Sequence, residues 1–364
     1  MIFYRVALVI ISGIAAILCV GCAGTQNSAT SGKYIFFPPP PVEPRIQFLA
    51  SYQDSDDVEG KKSSALSKFV LGEEEKVNVR PIIKPYGIVA ANGNIYIADT
   101  IRGRVLVLNL PKKSFRFLGE AEGLPAPGGT KKPINLTVDS EGNLYVVDVK
   151  LKQVLIFDRN ENPVGVVGAG YLERPTSVAV WENKIFVGDR AKSQILVFSL
   201  EDGELVDTFG PEMSDEIRIK LPLNMAMGPD GVLHVVDAGL FKVLRMDVDG
   251  HLLSTVGQLG DVPGTFSRPK GIGVGPDKKF YVADAAFDNV QVFREDGRIL
   301  TFFGGPGLEK SQMYLPAGVN VSTDNLEFFQ KMAAPGFKLQ YIIYVTNQYG
   351  PNKLSVYGYG QKEK

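Results

Sequence analysis

The sequence predicts an all-β chain, a six-bladed β-propeller whose last blade is closed by a strand from the N-terminal side. Three observations predict it. Six segments open with proline and then alternate: "PYGIVA" from Pro85, "PINLTV" from Pro133, "PTSVAV" from Pro175, "PLNMAM" from Pro222, "PKGIGV" from Pro269 and "PAGVNV" from Pro316. Each is followed by a strand ending in an acid or amide, at Asp99, Asp148, Asp189, Asp237, Asp284 and Asn347, and then by a third strand such as "RVLVLN" or "QILVFS". Five units add a fourth strand, the sixth runs out at "YGYGQKEK", and "RIQFLASY", with the same alternation, stands alone near the N-terminus. An open sheet edge templates aggregation. The lone strand therefore belongs beside the strand near Leu354, joining the two ends of the chain.

In chain order the first element is "MIFYRVALVIISGIAAILCVGCAG": one positive charge at Arg5, an apolar run from Val6 to Val20, then small residues. That is the pattern of a secretory signal over residues 1–21. The run is short for a bilayer span and ends without a cluster of Lys and Arg. It resembles a bacterial lipobox, although the usual leucine three places before the cysteine is Cys19, with Leu18 one place further out. The resemblance implies that Cys22 becomes the lipidated N-terminus and anchors the chain to a membrane. Ala23 at the next position resembles outer-membrane sorting in Gram-negative bacteria, so the expected address is the cell envelope. Residues 22–44 are expected to be the anchor and a proline-rich linker, with "FFPPPPVEP" favouring an extended polyproline II spacer. The propeller is expected over 45–360 and a tail over 361–364.

Both cysteines, Cys19 and Cys22, fall in the N-terminal segment, so no disulfide is expected in the propeller. Their spacing is that of a haem attachment site, but Ala23 occupies the place of the required histidine. A net charge of −1 gives no general attraction to nucleic acid. With 45% hydrophobic residues spread evenly, the chain can bury a large core.

The five aspartates closing the second strands read as turn-locking groups, since an acceptor at that position satisfies the N–H groups of the next turn. His234 reads as a packing residue, because its equivalents are Tyr96, Tyr145, Phe186, Tyr281 and Tyr344. The other histidine, His251, is expected in an exposed turn. The innermost strands offer Asn135, Asn224 and Asn320 without a carboxylate, a weak oxygen set for a cation, so neither metal nor cofactor is expected. Two short helices are expected, at Lys62–Glu75 and at Thr323–Met332. Thr323 would be the N-cap of the second, and Phe328, Phe329 and Met332 its lid over one end of the barrel.

The unit Pro-x-Gly, alternating strand, Gly-Asn-x-Tyr-Val-x-Asp, Val-x-Val-Phe, Asp-Gly resembles the NHL repeat, most closely at Asn143–Asp148, Gly271–Asp284 and Gly297–Gly304. The resemblance covers roughly residues 44 to 360 and implies the propeller fold. The two ends, "PPPPVEPRIQFL" and "VTNQYGPNKLSVYGYG", are similar to bacterial envelope lipoproteins of that type, a likeness that implies no particular activity. NHL-type propellers include a zinc-dependent lyase whose metal takes several histidines, and two histidines cannot supply them. A metal-dependent channel enzyme, lactonase- or lyase-like and acting on a small envelope substrate, stays as the alternative function.

The loops joining second to third strands carry Arg102, Arg104, Lys150, Lys152, Arg190 and Lys192 in the first three units, and Phe241, Phe287 and Tyr349 in the last three. A propeller holds all such loops at one end. That end is expected to be basic on one half and aromatic on the other, fit for an envelope protein with an acidic patch. A binding or scaffolding module is thus favoured over an enzyme.

Overall fold

The computed structural model describes residues 34–60, 79–120, 129–210 and 218–363. Five four-stranded sheets and one five-stranded sheet form the six blades, each an antiparallel meander. The first blade is β3 (Pro85–Ala91), β4 (Asn94–Asp99), β5 (Arg104–Asn109) and β6 (Ser114–Phe117). The second is β7 (Pro133–Val138), β8 (Leu144–Asp148), β9 (Gln153–Phe157) and β10 (Pro163–Val167). The third runs through β11 (Pro175–Trp181), β12 (Lys184–Asp189), β13 (Gln194–Ser199) and β14 (Leu205–Phe209). The fourth comprises β15 (Pro222–Met227), β16 (Leu233–Asp237), β17 (Lys242–Met246) and β18 (Leu252–Val256). The fifth comprises β19 (Pro269–Val274), β20 (Phe280–Asp284), β21 (Asn289–Phe293) and β22 (Ile299–Gly304).

The sixth blade is built from β23 (Pro316–Ser322), β24 (Phe337–Asn347) and β25 (Leu354–Lys362), with β2 (Ile46–Tyr52) and β1 (Ile35–Phe37) outside them. β2 lies antiparallel to β25, with Ile46 opposite Tyr359 and Tyr52 opposite Leu354. The expected closure is therefore present, with one strand more than expected. Residues 35–37, assigned on sequence to the spacer, pair with β2, and the four prolines sit in the connection that turns the chain back. Phe36 and Phe37 explain the difference: each ring finds an aromatic partner, Phe337 for one and Tyr357 for the other, so pairing half-buries both.

The core is divided into six apolar seams between neighbouring blades. Alternation makes this possible, because successive side chains on a strand point into opposite seams. In β2 a bulge between Phe48 and Ala50 shifts the alternation, so Ile46 and Phe48 face the seam between blades five and six, while Ala50 and Tyr52 face the seam between six and one. The proline-led inner strands pack against one another around the axis. Small residues allow it: a Cβ on Gly87 would stand 2.6 Å from the Asn135 backbone.

The helical expectations need correction. Residues 62–75 lie outside the described residues, as do the N-terminal apolar run and Cys22. An unexpected short helix, α1 (Ser55–Glu59), follows β2, capped by Asp54, which accepts from the N–H groups of Asp56 and Asp57. The later helix, α2, is only Leu326–Gln330, and Asn325 stands at its N-cap without a side-chain bond, not Thr323. Its aromatic residues are no lid over the barrel. Phe329 is fully buried in the seam between blades six and one, with Phe328 and Met332 packed beside it.

Candidate functional site

Each aspartate that ends a second strand ties two loops together. Asp237 accepts from the N–H groups of Gly239 and Leu240 in the turn that follows, at 2.9 and 3.0 Å. It also accepts from Lys220 and Leu221, just ahead of the inner strand, at 2.7 and 3.1 Å. Asp99, Asp148 and Asp189 repeat both sets, and Asp284 holds Ser267, Arg268 and Ala286. All five are fully buried. Their role is turn-locking, as expected, extended to the segment entering the blade. The same bonds prove that the loops from second to third strand and the entrances to the inner strands share one end of the propeller.

The opposite end opens into a cavity of about 730 Å³ along the axis, bounded by the inner strands and the turns that follow them. Asn135 and Asn224 lie in its wall almost fully buried, and the Asn320 carboxamide is already used, accepting from the Ala90 N–H at 3.0 Å. The carboxylates that strand reading missed stand at the mouth, on the turns: Asp139, Glu141 and Glu182. Asp139 is committed locally, accepting from the Asn143 and Tyr145 side chains at 2.8 and 2.9 Å. Among the described residues no histidine or cysteine lines the cavity. Among the described residues no group of three or more His, Cys, Asp or Glu side chains is arranged to hold a metal ion.

His234 occupies the aromatic slot expected of it, 5.2 Å from the Phe280 ring. Its Nδ1–H donates to the Val232 carbonyl, and Nε2 accepts from Arg245. Burial, with the adjacent Arg245 cation, pushes its pKa down from 6.5 to about 4. Below pH about 6.5 the unfolded chain takes up a proton that the folded chain refuses, so stability falls as pH drops through that window. The loss reaches about 2 kcal/mol by pH about 5. In His234→Phe that part of the pH dependence should vanish. Urea midpoints measured near pH 7 and pH 5 that fall equally for wild type and variant would refute it.

At the basic end, Lys150, Lys152 and Arg190 are exposed, Lys192 is half-buried, and none of the four forms an ion pair among the described residues. Arg102 is engaged: it donates to the Pro81 carbonyl at 3.0 Å and stacks over Phe117, as Arg104 does. The aromatic half differs from expectation. Phe241 and Phe287 are only half-buried, and Phe241 packs on the core between blades four and five. Tyr349 alone is exposed, at 45%, and Lys84 and Lys353 stand over its ring at 5.3 and 6.0 Å. Cations thus extend across the whole end.

No protein-family model matches the chain. No curated protein matches it in sequence either. Its fold matches solved structures. An auxiliary nutrient binding protein from Bacteroides thetaiotaomicron aligns with a TM-score of 0.56 at 11% identity, over 78% of this chain and 71% of that one. A protein of unknown function from the same organism aligns with a TM-score of 0.55 at 15% identity, over 78% and 70%. Virginiamycin B lyase from Staphylococcus aureus aligns with a TM-score of 0.50 at 14% identity, over 75% and 80%. At such identities the likeness is one of fold, and the chain is a six-bladed β-propeller of the class that includes both a binding protein and a lyase.

Proposed function

We propose that this chain is an NHL-type propeller tethered to the bacterial envelope through Cys22. It acts as a binding module for an envelope protein with an acidic patch. The observation that carries the reading is the set of cations without an ion pair among the described residues, Lys150, Lys152, Arg190 and Lys192, on loops that a rigid scaffold holds at one end. Such a surface favours electrostatically steered docking, with Tyr349 as the exposed aromatic contact. Phe241 contributes to blade packing instead, so Phe241→Ala should lower stability where Tyr349→Ala does not.

The test is capture of envelope proteins on immobilised domain. Reversing Lys150, Lys152 and Lys192 to Glu should slow association and flatten its salt dependence, while Tyr349→Ala should mainly speed dissociation, by about 1 to 3 kcal/mol if it is an anchor. Retention of the same partners by wild type and both variants would remove this end from consideration. In the same preparation, membrane-extracted protein should show by mass a lipid-modified N-terminus at Cys22, and a soluble protein beginning elsewhere would end the tether.

A channel enzyme is the second reading, favoured by the axial cavity and the carboxylates at its mouth. Stoichiometric calcium or zinc in purified protein would support it over the binding module.

A further inference from the structure

The centre of the loop end, inside the outer loops considered above, carries a ring of its own. The residues immediately before the inner-strand prolines, in blade order, are Lys84, Lys132, Arg174, Leu221, Arg268 and Leu315. Two places along each strand from these stand Tyr86, Ile134, Thr176, Leu223, Lys270 and Ala317, and the residues after the locking acids include Arg190 and Gln348. The inner strands pack around the axis, and contacts between blades bring Lys270 of the fifth, Gln348 of the sixth and Tyr86 of the first together at this end. No carboxylate occupies any of the ring positions. Glu173, one step further out, shares its level with Lys131 and Lys220.

Lys270 is the centre of this ring. It is 6% exposed, its Nζ lies 6.0 Å from the Tyr86 ring, and one of its three protons goes to Gln348 Oε1 at 2.7 Å. Lys353 closes the same corner, donating to the Ile83 and Gln348 carbonyls. A buried ammonium is costly unless a counter-charge meets it. Asp288, a carboxylate whose field reaches it, forms no ion pair with it and accepts from the Leu315 N–H at 2.7 Å. Lys84, Arg268 and Arg190 have no ion pair among the described residues. Their fields are felt at the centre. Burial, with Arg268 and Lys84, pulls the Lys270 pKa down to about 8, and the Tyr86 hydroxyl, influenced by Arg190 and Arg268, stays a proton donor because burial raises it to about 12.

We propose that this ring is a binding site for a compact, doubly charged oxyanion, a phosphate or dicarboxylate, received by Lys270 and Tyr86 with Arg268, Lys84 and Arg190 around it. Ammonium and guanidinium donors converging on a partly dry spot are the chemistry that holds such groups. The site needs no macromolecular partner at the outer loops, and the two readings fail separately.

Calorimetric titration of the purified full-length protein with inorganic phosphate and with succinate, at constant ionic strength in chloride, tests it. Wild type should bind at least one of them, Lys270→Met should bind at least about tenfold more weakly, the scale of one lost charge-assisted hydrogen bond, and Lys112→Gln, on the exposed turn between β5 and β6, should bind as wild type does. Removing an uncompensated buried charge should leave Lys270→Met folded. The exposed Arg268→Gln gives a second variant, expected to be several-fold weaker and folded. Phosphate binding without succinate binding points to a phosphate-bearing ligand, and the converse to a dicarboxylate. No heat from either anion, or equal affinity in wild type, Lys270→Met and Arg268→Gln, would overturn the proposal.

Discussion

A chain beginning after Asp57 should fail to form a stable propeller, because it lacks the two outer strands of the last blade. Those strands contribute on both faces. Ile46 is fully buried against blade five, and Tyr52 packs toward blade one. Gln47 holds the segment after α2, accepting from the Ala334 N–H at 2.9 Å. Burial of the Ile46 and Tyr52 side chains, with the ladder to β25, amounts to about 5 kcal/mol or more. That approaches the whole stability of many domains. Deletion also exposes β25 as an edge, so aggregation should accompany the loss. A chain beginning near Pro41 should fall between. It keeps β2 but loses β1, whose Phe36 meets Phe337 at 5.2 Å and whose Phe37 meets Phe303 and Tyr357 at 6.2 Å. A chain beginning at Tyr34 should melt as the full protein does. Equal melting temperatures for all three would show that neither strand belongs to the fold.

The blades were legible in the sequence because each repeats the same local instructions. Proline opens an inner strand, alternation fills two seams, and an aspartate closes the second strand. A signal repeated in every blade overrides local ambiguity, which is why even the short fourth strands of the first two blades form, as β6 and β10. Single-copy features were harder. β1 is three residues long and leads into four prolines, so composition favoured a spacer, and only the aromatic partners on distant strands reveal the hairpin. Phe241 looked exposed because it stands on a tight loop, yet its ring turns back onto the core. The basic ring was written in the sequence as Lys84, Lys132, Arg174 and Arg268. These cations lie one or two blade repeats apart in the chain, and reading them as one group requires stacking the blades about the axis. The outer-loop cations share one blade's loop in pairs, so they drew attention first.

The second large effect should come from a single locking acid. Asp237→Ala should destabilise the protein by about 3 to 5 kcal/mol, since a fully buried carboxylate that satisfies four backbone N–H groups is removed and its donors are stranded. Asp237→Asn should cost nearly as much, because an amide turns a donor toward N–H groups that need an acceptor. The sixth blade shows what an amide requires there. Asn347 donates through Nδ2 to the Asn352 carbonyl and to Ser355, in a longer turn of its own. The five aspartate blades lack that turn. The control is Asp158, whose carboxylate also accepts from two backbone N–H groups, those of Asn160 and Asn162, but in an exposed turn where water can replace it. Asp158→Ala should therefore shift the urea midpoint far less than Asp237→Ala does. Urea unfolding of the three variants settles the comparison. If Asp237→Ala and Asp158→Ala shift the midpoint equally, the repeated aspartate is not what ties each inner strand to its neighbouring loop, and its presence in five blades must be explained by something other than the turn.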